Sequence, residues 1–369
     1  MIDFQPSEEQ EMMRDTVGAF ARDEIRPAAR PADETGAIAS ALVSKAWQLG
    51  LVRGAIPEKF GGDGGERSAT TGAIVAEELG YGDLSIALHM LAPRLLAYPV
   101  IEMGTDEQRE RHLRRLAAAD FVAASAAVME PSWNFDLAAL GTTARRDGSS
   151  FVLNGTKCYV PLAADSATIL VYASNGAGAG EASVDGFLVP RDAMGLAVGD
   201  REQSMGLKPL ATYQVVLKDC RVGAEARLGG DKGINFTRLM SESRVAFSAL
   251  SVGMMRAAFE YARDYAKERK AFGVPIASKQ AIAFMLADMA IEIDASRLLV
   301  WDAASRLDKG EDGLKESYLA KNYVAASALK ITDNAVQVLG GHGYIREHPV
   351  EMWLRNARGI AALDGLATV

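Results

Sequence analysis

Two segments of the sequence combine residue types that could bind an anionic or nucleotide ligand. In the first, Arg269 stands at a predicted helix end just before a Phe-Gly turn, where a guanidinium could bind a pyrophosphate through two hydrogen bonds. In the second, Gln337 precedes Gly340, Gly341 and Gly343, and glycines at a helix end let a ligand approach the backbone closely. Each segment also has a purely structural interpretation, as a cation or a glycine at a helix C-terminus.

The elements that position these segments fall into three stretches. Helical spacing of apolar residues prevails over 1–118 and again over 229–369, whereas 119–228 consists of short runs rich in Val, Leu, Tyr and Thr that predict strands. Helices, then strands, then helices indicate an α+β protein. We therefore predict an N-terminal helical domain, a middle β domain and a C-terminal helical domain with these boundaries.

Local patterns refine this prediction. Ser7 and Gln10 match a capping box, which predicts a helix start. Asn154-Gly155 lies between two apolar runs and predicts a hairpin turn, because both residues tolerate positive φ. The glycine-rich stretch 175–183 lacks the spacing of a phosphate-binding loop and a helix after it, so we predict a flexible hairpin loop.

Composition excludes several classes of function. The 40 Lys and Arg against 48 Asp and Glu give a net charge of −8, which disfavours nucleic acid as a partner. No signal peptide is evident and no apolar run reaches about 18 residues, so we expect no membrane partner. The two cysteines, Cys158 and Cys220, fit a reducing compartment, and we expect a cytoplasmic protein. His342 and His348 have no partner at metal-ligand spacing, so we predict no metal site.

Six segments, taken together and in order, resemble the acyl-CoA dehydrogenase family. They are PEKFGG, AEELGYGDLSIAL, GTDEQRERHL, NGTKCYV, ERKAFGVPIASKQ and QVLGGHGYIREHPVEMWLRNAR. The resemblance covers nearly the whole chain and implies an N-terminal helical domain, a middle β-barrel domain and a C-terminal helical bundle. It also implies FAD as cofactor, an acyl-CoA substrate, an electron-transferring flavoprotein as electron acceptor, a homo- or hetero-tetramer, and a role in fatty acid or steroid side-chain metabolism.

The resemblance further implies a mechanism and a base. In the family a carboxylate removes the α-proton while the β-hydrogen moves as hydride to flavin N5, and the thioester oxygen is bound by the base's backbone N–H and a flavin ribityl hydroxyl. Asp364 stands where the family has glutamate. Its side chain is one methylene shorter, and a displacement of about 1 Å can cost about 100-fold in rate. Asp364 could equally be a turn residue, since Asp-Gly is a common turn dipeptide.

Near the base, Arg244 resembles a family arginine that positions the base loop, although a solvated surface ion pair would look the same in sequence. Some relatives carry the base immediately before that arginine, but Ser243 stands there and cannot serve. Glu242 would point about 100° away around the helix. The resemblance therefore makes Asp364 and Arg244 the candidate catalytic residues.

The residues matched to FAD fall into two sets. Where the family's middle domain directs hydroxyls at its own flavin, this chain has Met129 for threonine, and Tyr159 and Pro161 where Trp-Ile-Thr begins and ends. The family residues that reach a neighbour's FAD are retained, and we call them the outer set: Arg269, Phe272, Gln280, Gln337, Gly340 and Gly341.

This asymmetry leaves alternative functions open. The first is an FAD-dependent acyl-CoA dehydrogenase that uses Asp364 as its base. The second is a non-catalytic partner subunit of a hetero-oligomeric acyl-CoA dehydrogenase, which completes a neighbour's FAD site. A third is a flavin oxidase or a dehydrogenase of the nitroalkane type, where an aspartate base occurs.

Overall fold

The computed structural model describes residues 5–176, 180 and 183–369 and begins with a helical domain. Ser7 Oγ accepts a hydrogen bond from the Gln10 N–H, and the Gln10 side chain accepts one from the Ser7 N–H, so the predicted capping box is confirmed. A π-helical turn, Ala21–Ile25, joins the first two helices. The helices of this domain are α1 (Glu8–Phe20), α2 (Arg26–Thr35), α3 (Ser40–Gln48), α4 (Ala69–Gly82), α5 (Leu84–Leu91), α6 (Arg94–Met103) and α7 (Asp106–Leu116).

The middle of the chain forms one sheet of seven strands. They are β1 (Ser125–Ala127), β2 (Thr143–Asp147), β3 (Ser150–Pro161), β4 (Thr168–Ser174), β5 (Val184–Pro190), β6 (Leu196–Arg201) and β7 (Thr212–Gly223). The hydrogen-bonded order is β1-β4-β2-β3-β7-β6, with β5 paired to β4. β4 pairs in parallel with β1 and β2, and the other pairs are antiparallel. The predicted α+β class is confirmed, with the sheet forming a half-barrel.

The predicted hairpin turn at Asn154-Gly155 is wrong. Both residues lie inside β3, and the turn between β2 and β3 is at Gly148 and Ser149. Gly155 has a φ of 153°, and a Cβ there would lie 2.4 Å from Thr142 Oγ1. The pairing of β3 with β7 shifts register at this point, so the glycine serves a bulge and a close approach of two backbones.

The glycine-rich stretch 175–183 connects β4 to β5, which pair in antiparallel order as the loop prediction requires. Its residues 177–179 and 181–182 lie outside the described residues, so the predicted flexibility stays a prediction.

The C-terminal domain is built on three long antiparallel helices, α8 (Phe236–Glu268), α9 (Gln280–Asp308) and α10 (Leu314–Leu339). A two-stranded hairpin, β8 (Lys270–Ala271) and β9 (Val274–Pro275), separates α8 from α9. α11 (Gly341–Tyr344) and α12 (Val350–Ala357) follow. Because the three helices alternate in direction, the end of α8, the start of α9 and the end of α10 lie at one end of the bundle.

α8 is the central element of the molecule. It packs against α4 of the first domain and against α9 and α10 of its own domain, and a run of its residues from Leu239 to Met255 is buried. Gly80 of α4 faces the backbone of Leu250, where a Cβ would lie 2.0 Å from the carbonyl oxygen. This close packing holds α8 firmly against α4 of the first domain.

Within the described part of the chain, no single helix has the length and apolar composition to cross a membrane. Helices α5 and α6 reach that length and composition only when they are counted together, and the chain bends by 42° between them.

Candidate active site

The structure brings Asp364 and Arg244 together. Arg244, on α8, points toward the segment after α12, where its Nε donates to Asp364 Oδ2 over 3.5 Å. The two side chains are 8% and 17% exposed, so Arg244 is not part of a solvated surface ion pair. Among the described residues, Asp364 Oδ1 and Arg244 Nη1 are buried without a hydrogen-bond partner. Asp364 therefore has Oδ2 bound by a guanidinium, whereas Oδ1 makes no hydrogen bond and has the Lys321 ammonium 3.7 Å away.

Lys321, which sequence reasoning missed, completes this cluster. It lies on the buried face of α10, between Ala320 and Val324. Its Nζ donates to the Leu363 carbonyl oxygen over 2.6 Å and lies 3.7 Å from Asp364 Oδ1. Burial lowers the pKa of Lys321, against the opposing effect of the Asp364 charge. A lysine at an apolar helix position was the available signal, but its partner is 42 residues away in sequence.

Asp364 and its neighbours line three cavities. Asp364, Arg244 and Lys321 face an open cleft of about 820 Å³. Leu363 separates this cleft from a slot of about 240 Å³ lined by Tyr159 and by the apolar side chains Leu207, Leu210, Leu363 and Leu366. Behind Gly365 only about 10 Å³ remains, lined by Leu95, Tyr172 and Ser243. Asp364 thus lines the open cleft, and its neighbour Leu363 lines both the cleft and the slot.

Of the residues predicted to face the chain's own flavin, two lie at this junction. Tyr159 lines the slot, with φ at 52° and its N–H donating to Glu202 over 3.0 Å. Met129 is buried, and its Sδ accepts a hydrogen bond from the Asp364 N–H over 3.3 Å. Pro161 is also buried but does not line the slot, and its carbonyl accepts from Ser125 Oγ over 2.5 Å.

Glu242 does not join the site. It is 2% exposed and accepts from Arg67 and Arg238 over 3.0 and 3.1 Å. Burial raises its pKa to about 7. The structure thus agrees with the helix geometry that turned Glu242 away from Arg244, and Asp364 is the carboxylate that pairs with Arg244 at the cleft.

The outer set gathers at the far end of the C-terminal bundle, where all six residues are exposed. Arg269 ends α8, Gln280 is the first residue of α9, and Gln337 is close to the end of α10. Gly340 has φ 60° and ψ −132°, a conformation that glycine adopts most readily. A Cβ on Gly340 or Gly341 would meet no atom within 4 Å. A guanidinium, a helix N-terminus and open backbone together fit the pyrophosphate of FAD.

The two histidines behave differently from each other. His342, in α11, has Nδ1 3.2 Å from the Tyr265 hydroxyl. His348 is half-buried, with Nδ1 2.7 Å from the Tyr261 hydroxyl. Among the described residues no group of three or more His, Cys, Asp or Glu side chains could hold a metal ion.

The comparisons with known proteins agree with this geometry. Three family models match: "Acyl-CoA dehydrogenase, N-terminal domain" over residues 7–120, "middle domain" over 125–220 and "C-terminal domain" over 232–369. The chain belongs to the acyl-CoA dehydrogenase family, as the sequence resemblance indicated. Homologues in this family are FAD-dependent oxidoreductases that act on CH–CH bonds.

Individual relatives match over nearly their full lengths. The chain is 36% identical to the "Probable acyl-CoA dehydrogenase YngJ" of Bacillus subtilis, over 100% of this chain and 97% of that protein. It is 33% identical to the mitochondrial short-chain specific acyl-CoA dehydrogenase of Bos taurus, over 98% and 88%. The solved structure of butyryl-CoA dehydrogenase from Megasphaera elsdenii superimposes with a TM-score of 0.88 at 27% identity, over 100% and 96%.

Proposed function

We propose that this chain catalyses the α,β-dehydrogenation of an acyl-CoA thioester with FAD as its cofactor. The observation that carries the proposal is the buried Asp364–Arg244 pair, which faces an 820 Å³ cleft beside an apolar slot in a chain of this family. A carboxylate in that position can remove a proton from a ligand that enters through the cleft.

Different residues of the chain would have different roles in this reaction. Arg244 binds Oδ2 of Asp364, and Oδ1, which makes no hydrogen bond and lies 3.7 Å from Lys321 Nζ, would take the α-proton. The Asp364 N–H is the donor placed to bind the thioester oxygen, where negative charge develops as the proton leaves. When bound, FAD accepts the β-hydrogen as hydride. Tyr159 and the four leucines would hold its ring in the slot, and the outer set would bind the pyrophosphate end of a neighbour's FAD.

An oligomer and an electron acceptor belong to this proposal. Along α9, Phe284, Ile291 and Leu298 recur every seven residues and are 62%, 66% and 46% exposed. An apolar stripe of this kind is typical of a protein interface, which supports a tetramer. The reduced cofactor would pass its electrons to an electron-transferring flavoprotein. Both cysteines are buried and free, which supports a cytoplasmic location, and we place the reaction in fatty acid or steroid side-chain metabolism.

The proposal is tested by the visible spectrum of the protein purified alone. We expect FAD near one per chain, and anaerobic addition of acyl-CoA thioesters should bleach the flavin absorption. The panel runs from short linear to ring-bearing acyl groups, since the narrow space behind Gly365 favours short ones. An FAD-loaded protein that no thioester bleaches would contradict the proposal, and bleaching by oxidisable substrates of another class would point to the oxidase or nitroalkane alternative.

One contact favours a second candidate function, that of a non-catalytic partner subunit. Met129 Sδ occupies the Asp364 N–H, the same donor that the dehydrogenase reaction requires for the thioester oxygen. A chain that only completes a neighbour's FAD site would need the outer set and could leave this donor blocked. Protein purified alone would then be nearly free of FAD and would acquire it when mixed with a catalytic homologue.

Met129→Thr measures how much this contact matters. The variant frees the Asp364 N–H and restores a hydroxyl at that position, and one hydrogen bond is worth about 0.5–1.5 kcal/mol. We expect the rate of flavin bleaching to rise up to about tenfold in stopped-flow experiments. Met129→Leu, which frees the N–H without adding a hydroxyl, should give a smaller rise. Unchanged rates in both variants would show that the sulfur does not compete with substrate.

A further inference from the structure

Lys321 is a buried lysine, and the burial of its charged side chain is unfavourable unless specific contacts compensate for it. Its side chain is 9% exposed, and a lysine is rarely buried unless it is paired. Its shortest contact is to a neutral group, the Leu363 carbonyl at 2.6 Å, whereas Asp364 Oδ1 is 3.7 Å away. The ring of Phe247 lies 5.6 Å from Nζ. The geometry is therefore that of a charged donor aimed at a backbone oxygen.

That oxygen belongs to the peptide group that carries the Asp364 N–H. The Leu363 C=O and the Asp364 N–H share one planar, resonance-stabilised unit. A hydrogen bond from a cation to the oxygen is stronger than a neutral one and polarises the group, so the N–H at its other end becomes a better donor. In the structure this N–H already donates to Met129 Sδ, so both ends of the peptide are engaged.

We propose that Lys321 is a positioning residue that fixes and polarises the Leu363–Asp364 peptide, so that the Asp364 N–H binds a developing oxyanion more strongly. The identity of that oxyanion, a thioester oxygen, rests on the proposed function. The polarisation of the peptide does not rest on the proposed function, because the Lys321 hydrogen bond is present without substrate. Lys321 also fixes the chain direction at Asp364 and so keeps the carboxylate turned toward Arg244.

The sequence offers a direct way to observe this peptide. Leu-Asp occurs twice, at Leu307-Asp308 and Leu363-Asp364. Protein labelled with carbonyl-¹³C leucine and ¹⁵N aspartate therefore gives two correlations in an experiment that links each amide to the preceding carbonyl. Asp364→Asn removes one of them and so assigns both. The Leu307-Asp308 peptide is an internal control, because its carbonyl accepts from Arg238 and not from Lys321.

We expect Lys321→Met to shift the Leu363 carbonyl carbon and the Asp364 nitrogen upfield, as a lost hydrogen bond requires, and to leave Leu307-Asp308 in place. Lys321→Gln keeps a neutral donor and should give an intermediate shift. This variant provides the test if Lys321→Met does not fold. Lys330→Met, a change on the exposed side of the same helix, should shift neither peak. An unchanged Leu363-Asp364 correlation in Lys321→Met or Lys321→Gln would overturn the proposal.

A kinetic measurement then connects the peptide to turnover. Loss of a whole oxyanion donor costs about 10²–10³-fold in kcat, so a weakened donor in Lys321→Met should cost about tenfold, with KM changed much less. Lys321→Arg, which keeps the charge, should recover most of that loss. If the wild-type protein never bleaches its flavin, the proposed function fails, whereas the carbonyl shift still decides the role of Lys321. A normal kcat in a variant with the shifted peak would overturn the link to the oxyanion.

Discussion

Replacing Asp364 with Asn is expected to lower kcat by about 10²–10⁴-fold, the range that a general base contributes. Asparagine has nearly the same shape but cannot take up the α-proton. Its neutral side chain also leaves Arg244 without a carboxylate. FAD content should change little, whereas the free energy of unfolding should fall, because Arg244 is left buried without its carboxylate. Anaerobic stopped-flow bleaching of the flavin measures the effect without an electron acceptor.

Two variants complete that experiment. Asp364→Glu keeps a carboxylate and supplies the side-chain length that the family normally has, so it should retain far more activity than Asp364→Asn. Asp333→Asn, at an exposed position on α10, is the matched control and should leave kcat unchanged. If Asp364→Asn kept more than a tenth of the wild-type kcat, about 10-fold short of the smallest loss expected of a base, the base would have to be another group.

Lys157→Met is expected to destabilise the middle domain by about 3–5 kcal/mol, the cost of breaking one side of a buried ion pair. The Lys157 side chain is 0% exposed, and its Nζ donates to the Val128 carbonyl and to Glu130 Oε1 over 2.9 and 2.8 Å. Burial lowers the pKa of Lys157 to about 8 despite the Glu130 charge. The methionine variant would leave the Glu130 carboxylate buried without its cation, although Gly141 and Thr142 N–H groups still donate to it.

Urea unfolding at pH 7, followed by circular dichroism, measures this loss. In the double variant Lys157→Met with Glu130→Gln no unpaired charge remains, so part of the stability should return. Lys218→Met, at an exposed position on the neighbouring strand β7, should stay within about 0.5 kcal/mol of wild type. A loss below about 1 kcal/mol in Lys157→Met would mean that the pair contributes no more than a surface one.

The sequence predicted the helical and β regions because their apolar spacing is local and regular. It failed at Asn154-Gly155, where the dipeptide suits a turn but β3 continues through it. The glycine is needed there because Thr142, on the segment entering β2, approaches its backbone. No local pattern carries that information, since the close approach depends on how the sheet folds around β3.

The residues of the candidate site also fall into those that the sequence predicts and those that depend on tertiary packing. Asp364 and Arg244 could be named from their positions in family motifs, and the structure places them in contact. Lys321 and the sulfur contact of Met129 could not be predicted, because each depends on which backbone atom of the 363–364 peptide a distant side chain reaches. Such contacts are fixed by packing among α8, α10 and the middle domain, and not by the identity of neighbouring residues.

The placement of the outer set has a consequence for how the cofactor is retained. Asp364 and the slot lie near the middle domain, whereas Arg269 and Gly340 lie at the far end of the bundle. In the proposed assembly each FAD therefore bridges two copies, and neither copy alone offers a full set of contacts. Binding and association are then thermodynamically linked. Dilution that separates the copies would release FAD, and added FAD would hold them together.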